Sequence, residues 1–131
     1  MYERIQILED NIAKLKEYKA TITLQDIKED KFNEWSLRYG IFESIQIIID
    51  ISCHLVNKYN LGNANSYGEC IVLLYNSEYI DKTLHNTLLQ TIGLRNILIH
   101  EYIAIDIEKL YNFLELVDDF SIFIEKIKEY L

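Results

Sequence analysis

Apolar residues Ile5, Leu8, Ile12 and Leu15 recur at spacings of three and four, with charged residues filling the gaps. That period draws a single stripe along a helix and predicts one from about Tyr2 to Tyr18. Thr21-Ile22-Thr23-Leu24 interrupts it with β-branched and hydroxyl residues that can cap the next helix. A second helix is expected to begin after Thr23 and continue to about Lys58. Its first part, Gln25 to Glu34, is polar. Its second part, with Ile41, Phe42, Ile45, Ile47, Ile48, Ile49, Ile51, Leu55 and Val56, is apolar nearly all round and reads as a core or interface helix. Asn, Gly and Ser dominate residues 59–66, a loop. Beyond it come a short helix from about Tyr67 to Tyr75 and a turn at Asn76-Ser77-Glu78. A fourth helix runs from Asp81, a suitable N-cap, to about His100, with Leu84, Leu88, Thr91 or Ile92, and Arg95 along one side. Residues 101–105 leave it, and Asp106 caps a last helix that buries Leu110, Phe113, Leu114, Val117, Phe120, Ile124 and Ile127. The pattern predicts an all-α fold, an up-and-down bundle of four to five helices in one domain over residues 1–131.

Composition supports this pattern. The 131 residues suit one core, and with no proline and four glycines little interrupts helices. The formal net charge of −8 works against broad electrostatic capture of nucleic acid, so an RNA substrate would have to be gripped locally. An acidic surface also suits a basic protein partner. Asp50 interrupts the most apolar run, and no membrane span is expected. The first residues, with Glu3, Arg4, Glu9 and Asp10, lack the apolar stretch of a signal peptide. Cys53 and Cys70 lie in apolar segments without metal-ligand spacing. They read as buried reduced thiols of a cytoplasmic protein. His54 and His85 show no zinc spacing, and neither a metal nor a cofactor is expected.

The candidate chemistry lies in Arg95-Asn96-Ile97-Leu98-Ile99-His100, followed by Glu101-Tyr102. A guanidinium binds phosphate oxygens through a planar fork of donors, and an imidazole moves protons near neutral pH. Together they can act on a phosphodiester without a metal. Residues five apart on an ideal helix point about 140° apart, whereas Asn96 and His100 lie about 40° apart. Either the helix loosens near His100, or Arg95 and His100 reach a shared pocket from its rims. The same residues also suit a helix end, where Arg and His satisfy the last carbonyls. Gln46, Asp50 and His54 form a row at i, i+4 and i+8. Asp50 and His54 read either as a supporting layer that holds an imidazole or Arg95, or as a solvent edge with an Asp50–His54 ion pair.

The spacing Arg-x4-His-x-Tyr resembles the HEPN superfamily of small helical ribonucleases. Its tyrosine resembles one branch, the HepT toxins paired with MntA-type nucleotidyltransferase antitoxins. Tyr67-Gly68-Glu69, the segment from Leu94 to Tyr102 with Ile105-Asp106, and the apolar helix with Arg38, Gln46, Asp50 and His54 match that branch in order and spacing, from about Arg38 onward. The resemblance implies metal-independent RNA cleavage by Arg95, Asn96 and His100 at a homodimer cleft. It also implies an MntA-like nucleotidyltransferase partner that silences the toxin by AMP transfer to Tyr102. The alternative is a non-catalytic HEPN subunit that binds and regulates such a nucleotidyltransferase.

Overall fold

The computed structural model describes residues 1–100 and 105–131. Among them every regular element is helical: α1 (Tyr2–Thr21), α2 (Leu24–Glu29), α3 (Lys31–Lys58), α4 (Tyr67–Asn76), α5 (Lys82–His100), α6 (Ile107–Asn112) and α7 (Val117–Ile127), with short 3₁₀ turns at Phe113–Leu116 and Lys128–Tyr130. The stripe Ile5, Leu8, Ile12 and Leu15 is the buried face of α1, as its period predicts. α1 packs on α3 and α7, and Gly40 is where α1 and α3 come close: a Cβ there would stand 3.1 Å from Leu15 Cδ2.

Two expected helices are divided. Thr23 and Asp26 form a reciprocal capping box at the start of α2. Asp30 then takes an extended backbone and its carboxylate accepts the Phe32 N–H, so α3 starts afresh there. The last helix is likewise split into α6 and α7 by the 3₁₀ turn at Phe113–Leu116. Other punctuation falls where the sequence places it. Asp81 accepts the Leu84 N–H at 2.8 Å, Asp106 accepts the Glu108 N–H at 3.0 Å, and Glu78 turns the chain with φ 67°.

The spine of the bundle is α3. Of the described helices it alone has the length and apolar composition of a membrane span, Asp50 notwithstanding. Its apolar residues from Ile41 to Val56 are instead mostly buried inside the bundle, with Ile45, Ile51 and Leu55 at 0% exposure. α1, α4, α5 and α6 pack around it. One chain therefore covers this segment, and it leaves little apolar surface there for a second subunit. The exposed aromatic residues lie earlier on α3: Phe32, Trp35 and Tyr39 are 70%, 53% and 65% exposed.

The cysteines depart from expectation. Cys53 on α3 and Cys70 on α4 are joined in a disulfide, with Cα atoms 5.2 Å apart. Composition favours free thiols, but the packing of α4 on α3 brings the two side chains together, and only the tertiary fold decides such a pairing.

Candidate active site

α5 carries the motif through its last turns and stays helical to His100. The helix does not loosen, so Arg95 and His100 leave it about 140° apart. Leu94 is buried and holds this stretch to the core, while Asn96 and His100 are exposed. Arg95 points back towards α3 and α4. Its Nε donates to Gln46 Oε1 at 3.0 Å, and its Nη1 donates to Asn96 Oδ1 at 3.2 Å. The guanidinium carbon lies 4.9 Å from the ring centre of Tyr67 and 6.0 Å from that of Phe42. Two aromatic faces and an amide thus fix the plane of the fork. Its Nη2 makes no hydrogen bond among the described residues.

Gln46 is held in turn. Its Nε2 donates to Asp50 Oδ1 at 3.0 Å, and Asp50 Oδ2 pairs with Arg4 Nη1 at 3.4 Å. The row expected on α3 therefore reaches Arg95, but through Gln46 rather than directly from Asp50. Among the described residues Asp50 makes no ion pair with His54; its second oxygen goes to Arg4 of α1 instead. His54 is half-buried, one turn further along α3. Asn96 is the group that the structure brings to Arg95, while no hydrogen bond among the described residues joins either of them to His100. Tyr102 lies outside the described residues. The roles of Gln46, Tyr67, Phe42 and Arg4 are not legible in the motif. The sequence signals for them are the i, i+4 amide–carboxylate pair at 46 and 50 and the Tyr67-Gly68-Glu69 segment of the family resemblance, neither of which assigns a contact to Arg95.

Beside the motif, Trp35, Arg38, Tyr39, Phe42, Leu98 and Ile99 line an open groove of about 500 Å³ between α3 and α5. Arg38 Nε is buried there without a hydrogen bond among the described residues, 3.8 Å from Glu34 Oε2. His85, by contrast, is a packing residue. It is buried, faces the Tyr75 ring at 4.8 Å and shares a 2.9 Å contact with Asn86 Oδ1.

The model of one family, Ribonuclease HepT-like, matches residues 8–127. This chain belongs to the HepT-like ribonuclease family. Among curated proteins, the mRNA nuclease HepT of Shewanella oneidensis is 27% identical over 113 residues, spanning 86% of this HepT-like chain and 78% of the relative. Solved structures share the fold. A tri-AMPylated HEPN toxin of Shewanella oneidensis, in complex with an MNT antitoxin, aligns with a TM-score of 0.88 at 23% identity over 98% of this chain and 96% of that one. A mutant toxin–antitoxin MntA–HpeT structure aligns with a TM-score of 0.76 at 25% identity, over 94% and 98%. The cytosolic protein YutE of Bacillus subtilis aligns at 0.76 with 18% identity, over 95% and 87%. The fold is thus the HEPN bundle that the motif implies.

Proposed function

We propose that residues 1–131 form one HEPN domain that acts as a toxin, a metal-independent endoribonuclease kept silent by a nucleotidyltransferase antitoxin. The observation that carries this reading is the clamped Arg95 fork, with one edge left open beside Asn96 on the helix that ends at His100. RNA cleavage needs a base for the 2′-hydroxyl proton, a cation for the charge on the five-coordinate phosphorus, and an acid for the leaving 5′-oxygen. Arg95 supplies the cation. Asn96 orients the phosphate or the imidazole, and His100 serves as base or acid. One chain offers one such histidine, so two copies in a dimer complete the set. The exposed aromatics of α3 and the groove to Leu98 and Ile99 provide an apolar face continuous with the motif helix, suited to a second copy of this chain. Among the described residues no three His, Cys, Asp or Glu side chains group as metal ligands.

The partner is an MntA-like nucleotidyltransferase, and its target is Tyr102. Two of the similar structures described above pair a toxin with an MNT or MntA antitoxin, and one of those toxins is tri-AMPylated. A nucleotide ester two residues beyond His100 places negative phosphate and bulk at the Arg95 fork, where it competes with RNA. Asp50 and His54 act behind the site, Asp50 through Gln46. The site of action is the cytoplasm.

Induced expression without the antitoxin tests the reading. The parent chain should arrest growth and cleave RNA in the presence of EDTA, while His100→Ala and Arg95→Ala retain their helix content and lose both effects. General acid–base catalysis is typically worth about 10²–10⁴-fold, which sets the size of the loss. Co-purified with the antitoxin and ATP, the chain should gain mass in AMP units on Tyr102, and Tyr102→Phe should gain none. AMP on another tyrosine, with activity lost and Tyr102 unmodified, refutes the switch.

A further inference from the structure

Around Tyr67, the loop between α3 and α4 encloses a second feature. Asn60 turns the chain with φ 52° and Gly62 follows with φ 148°, where a Cβ would lie only 2.9 Å from Leu73 Cδ2. Beyond it the loop is tied down to α4. Glu69 accepts the Asn65 N–H, and Ser66 Oγ accepts the Glu69 N–H at 3.2 Å. The result is an open cavity of about 890 Å³ lined by Asn57, Asn63, Asn65, Ser66, Tyr67 and the Cys53–Cys70 disulfide. The carboxamides of Asn57, Asn63 and Asn65 make no hydrogen bond to any described residue. Among the described residues no lysine or arginine lines the cavity. Tyr67 is shared: it lines the cavity, and it also carries the Arg95 guanidinium against its ring at 4.9 Å.

We infer that this cavity is a base-reading subsite for single-stranded RNA, one that takes the nucleobase adjoining the phosphate held by Arg95. The inference rests on the ribonuclease reading above and names how its substrate is selected. Neutral amides that both donate and accept suit the edge of an uncharged base. They do not suit a phosphate, since among the described residues no lysine or arginine lines the cavity. The aromatic wall supplies a stacking face, the usual means by which proteins hold an unstacked RNA base. Tyr67 joins the two positions, since it lines the cavity and also lies against the Arg95 guanidinium. A base in the cavity thus leaves its own phosphate at the open edge of the fork. In a chain of net charge −8, such neutral contacts take over part of the work that basic residues do in other RNA-binding proteins.

The test uses the full chain as His100→Ala, to prevent cleavage, and four RNA homotetranucleotides as probes. Binding should discriminate among the four bases. Asn57→Ala, Asn63→Ala or Asn65→Ala should reduce that discrimination, by about tenfold for a residue that reads the base with two hydrogen bonds. Tyr67→Leu should weaken all four. The asparagine side chains are exposed, so unchanged thermal melting separates reading from folding. Equal affinity for all four probes, no binding at all, or discrimination that survives all three asparagine substitutions overturns the subsite. Cleavage by the parent chain with the same sequence preference in the asparagine variants removes the subsite and leaves the ribonuclease reading standing. Base-selective binding without any cleavage does the reverse.

Discussion

Arg95 depends on residues that lie outside the Arg-x4-His-x-Tyr motif. Its fork is set by Gln46, which lies 49 positions earlier in the chain, and by the rings of Tyr67 and Phe42. Gln46→Ala should therefore lower RNA cleavage by about tenfold or more while leaving circular dichroism unchanged, since a misplacement near 1 Å can cost about 10²-fold. Arg95→Lys should not rescue Arg95→Ala, because a lysine restores the charge but not the planar fork. Steady-state cleavage of a labelled RNA checks both. Arg95, Asn96 and His100 are legible in the sequence as candidates because residue types suited to phosphodiester chemistry stand close together in it. Gln46 and Tyr67 are not legible as site residues, since an amide and a phenol have no fixed role until the fold sets them beside a guanidinium.

At the scale of elements, two of the joints between α3 and its neighbours can be tested by stability. The first is Glu43, which accepts from Tyr39 Oη at 2.5 Å and from Asn11 Nδ2 at 2.8 Å, linking α3 to α1. The tyrosine hydroxyl, then the asparagine amide, hold its carboxyl below the ordinary glutamate range. A carboxyl with a lowered folded-state pKa adds stability above its unfolded value and loses it as pH falls through the folded one. Thermal melts should thus fall less steeply with acid below the ordinary glutamate range in Glu43→Gln than in the parent. The second joint is the disulfide. It closes a separation of 17 residues, and a loop of that size contributes about 3 kcal/mol on a chain-entropy estimate. Reductant, or Cys53→Ala with Cys70→Ala, should lower the melting temperature by on the order of 10 °C. Helix periods and the caps at Asp81 and Asp106 are readable because they are local. The break at Asp30 is hidden, since one extended residue scarcely disturbs an apolar period. The disulfide is hidden because it belongs to the contact between α3 and α4.

For the molecule as a whole, charge and shape make separate demands. With few cations near the motif, single-stranded RNA should bind with a shallow salt dependence. One phosphate contact gives a slope in log affinity against log salt of about −0.7, and a slope several times steeper would place the RNA on another surface. Shape points to the aromatic end of α3. Since the segment from Ile41 to Val56 is covered within one chain, the proposed dimer draws its apolar contact from the exposed Phe32, Trp35 and Tyr39 beside the motif helix. Light scattering should give twice 15.6 kDa for the parent chain and 15.6 kDa for Trp35→Glu, with RNA cleavage lost in the monomer. A parent chain that cleaves RNA as a monomer would refute the need for two motifs.

The ion pair between Arg4 and Asp50 has a consequence for how such enzymes diverge. Arg4 stands ahead of residues 8–127, the stretch that the family model matches, yet it ends the polar row that sets Arg95. The pair is partly exposed, at 50% and 32%, so each change there is small in energy and fades with salt. Two homologues with the same motif, letter for letter, can therefore differ in catalytic vigour through an amino-terminal residue that a comparison of their active sites would never inspect.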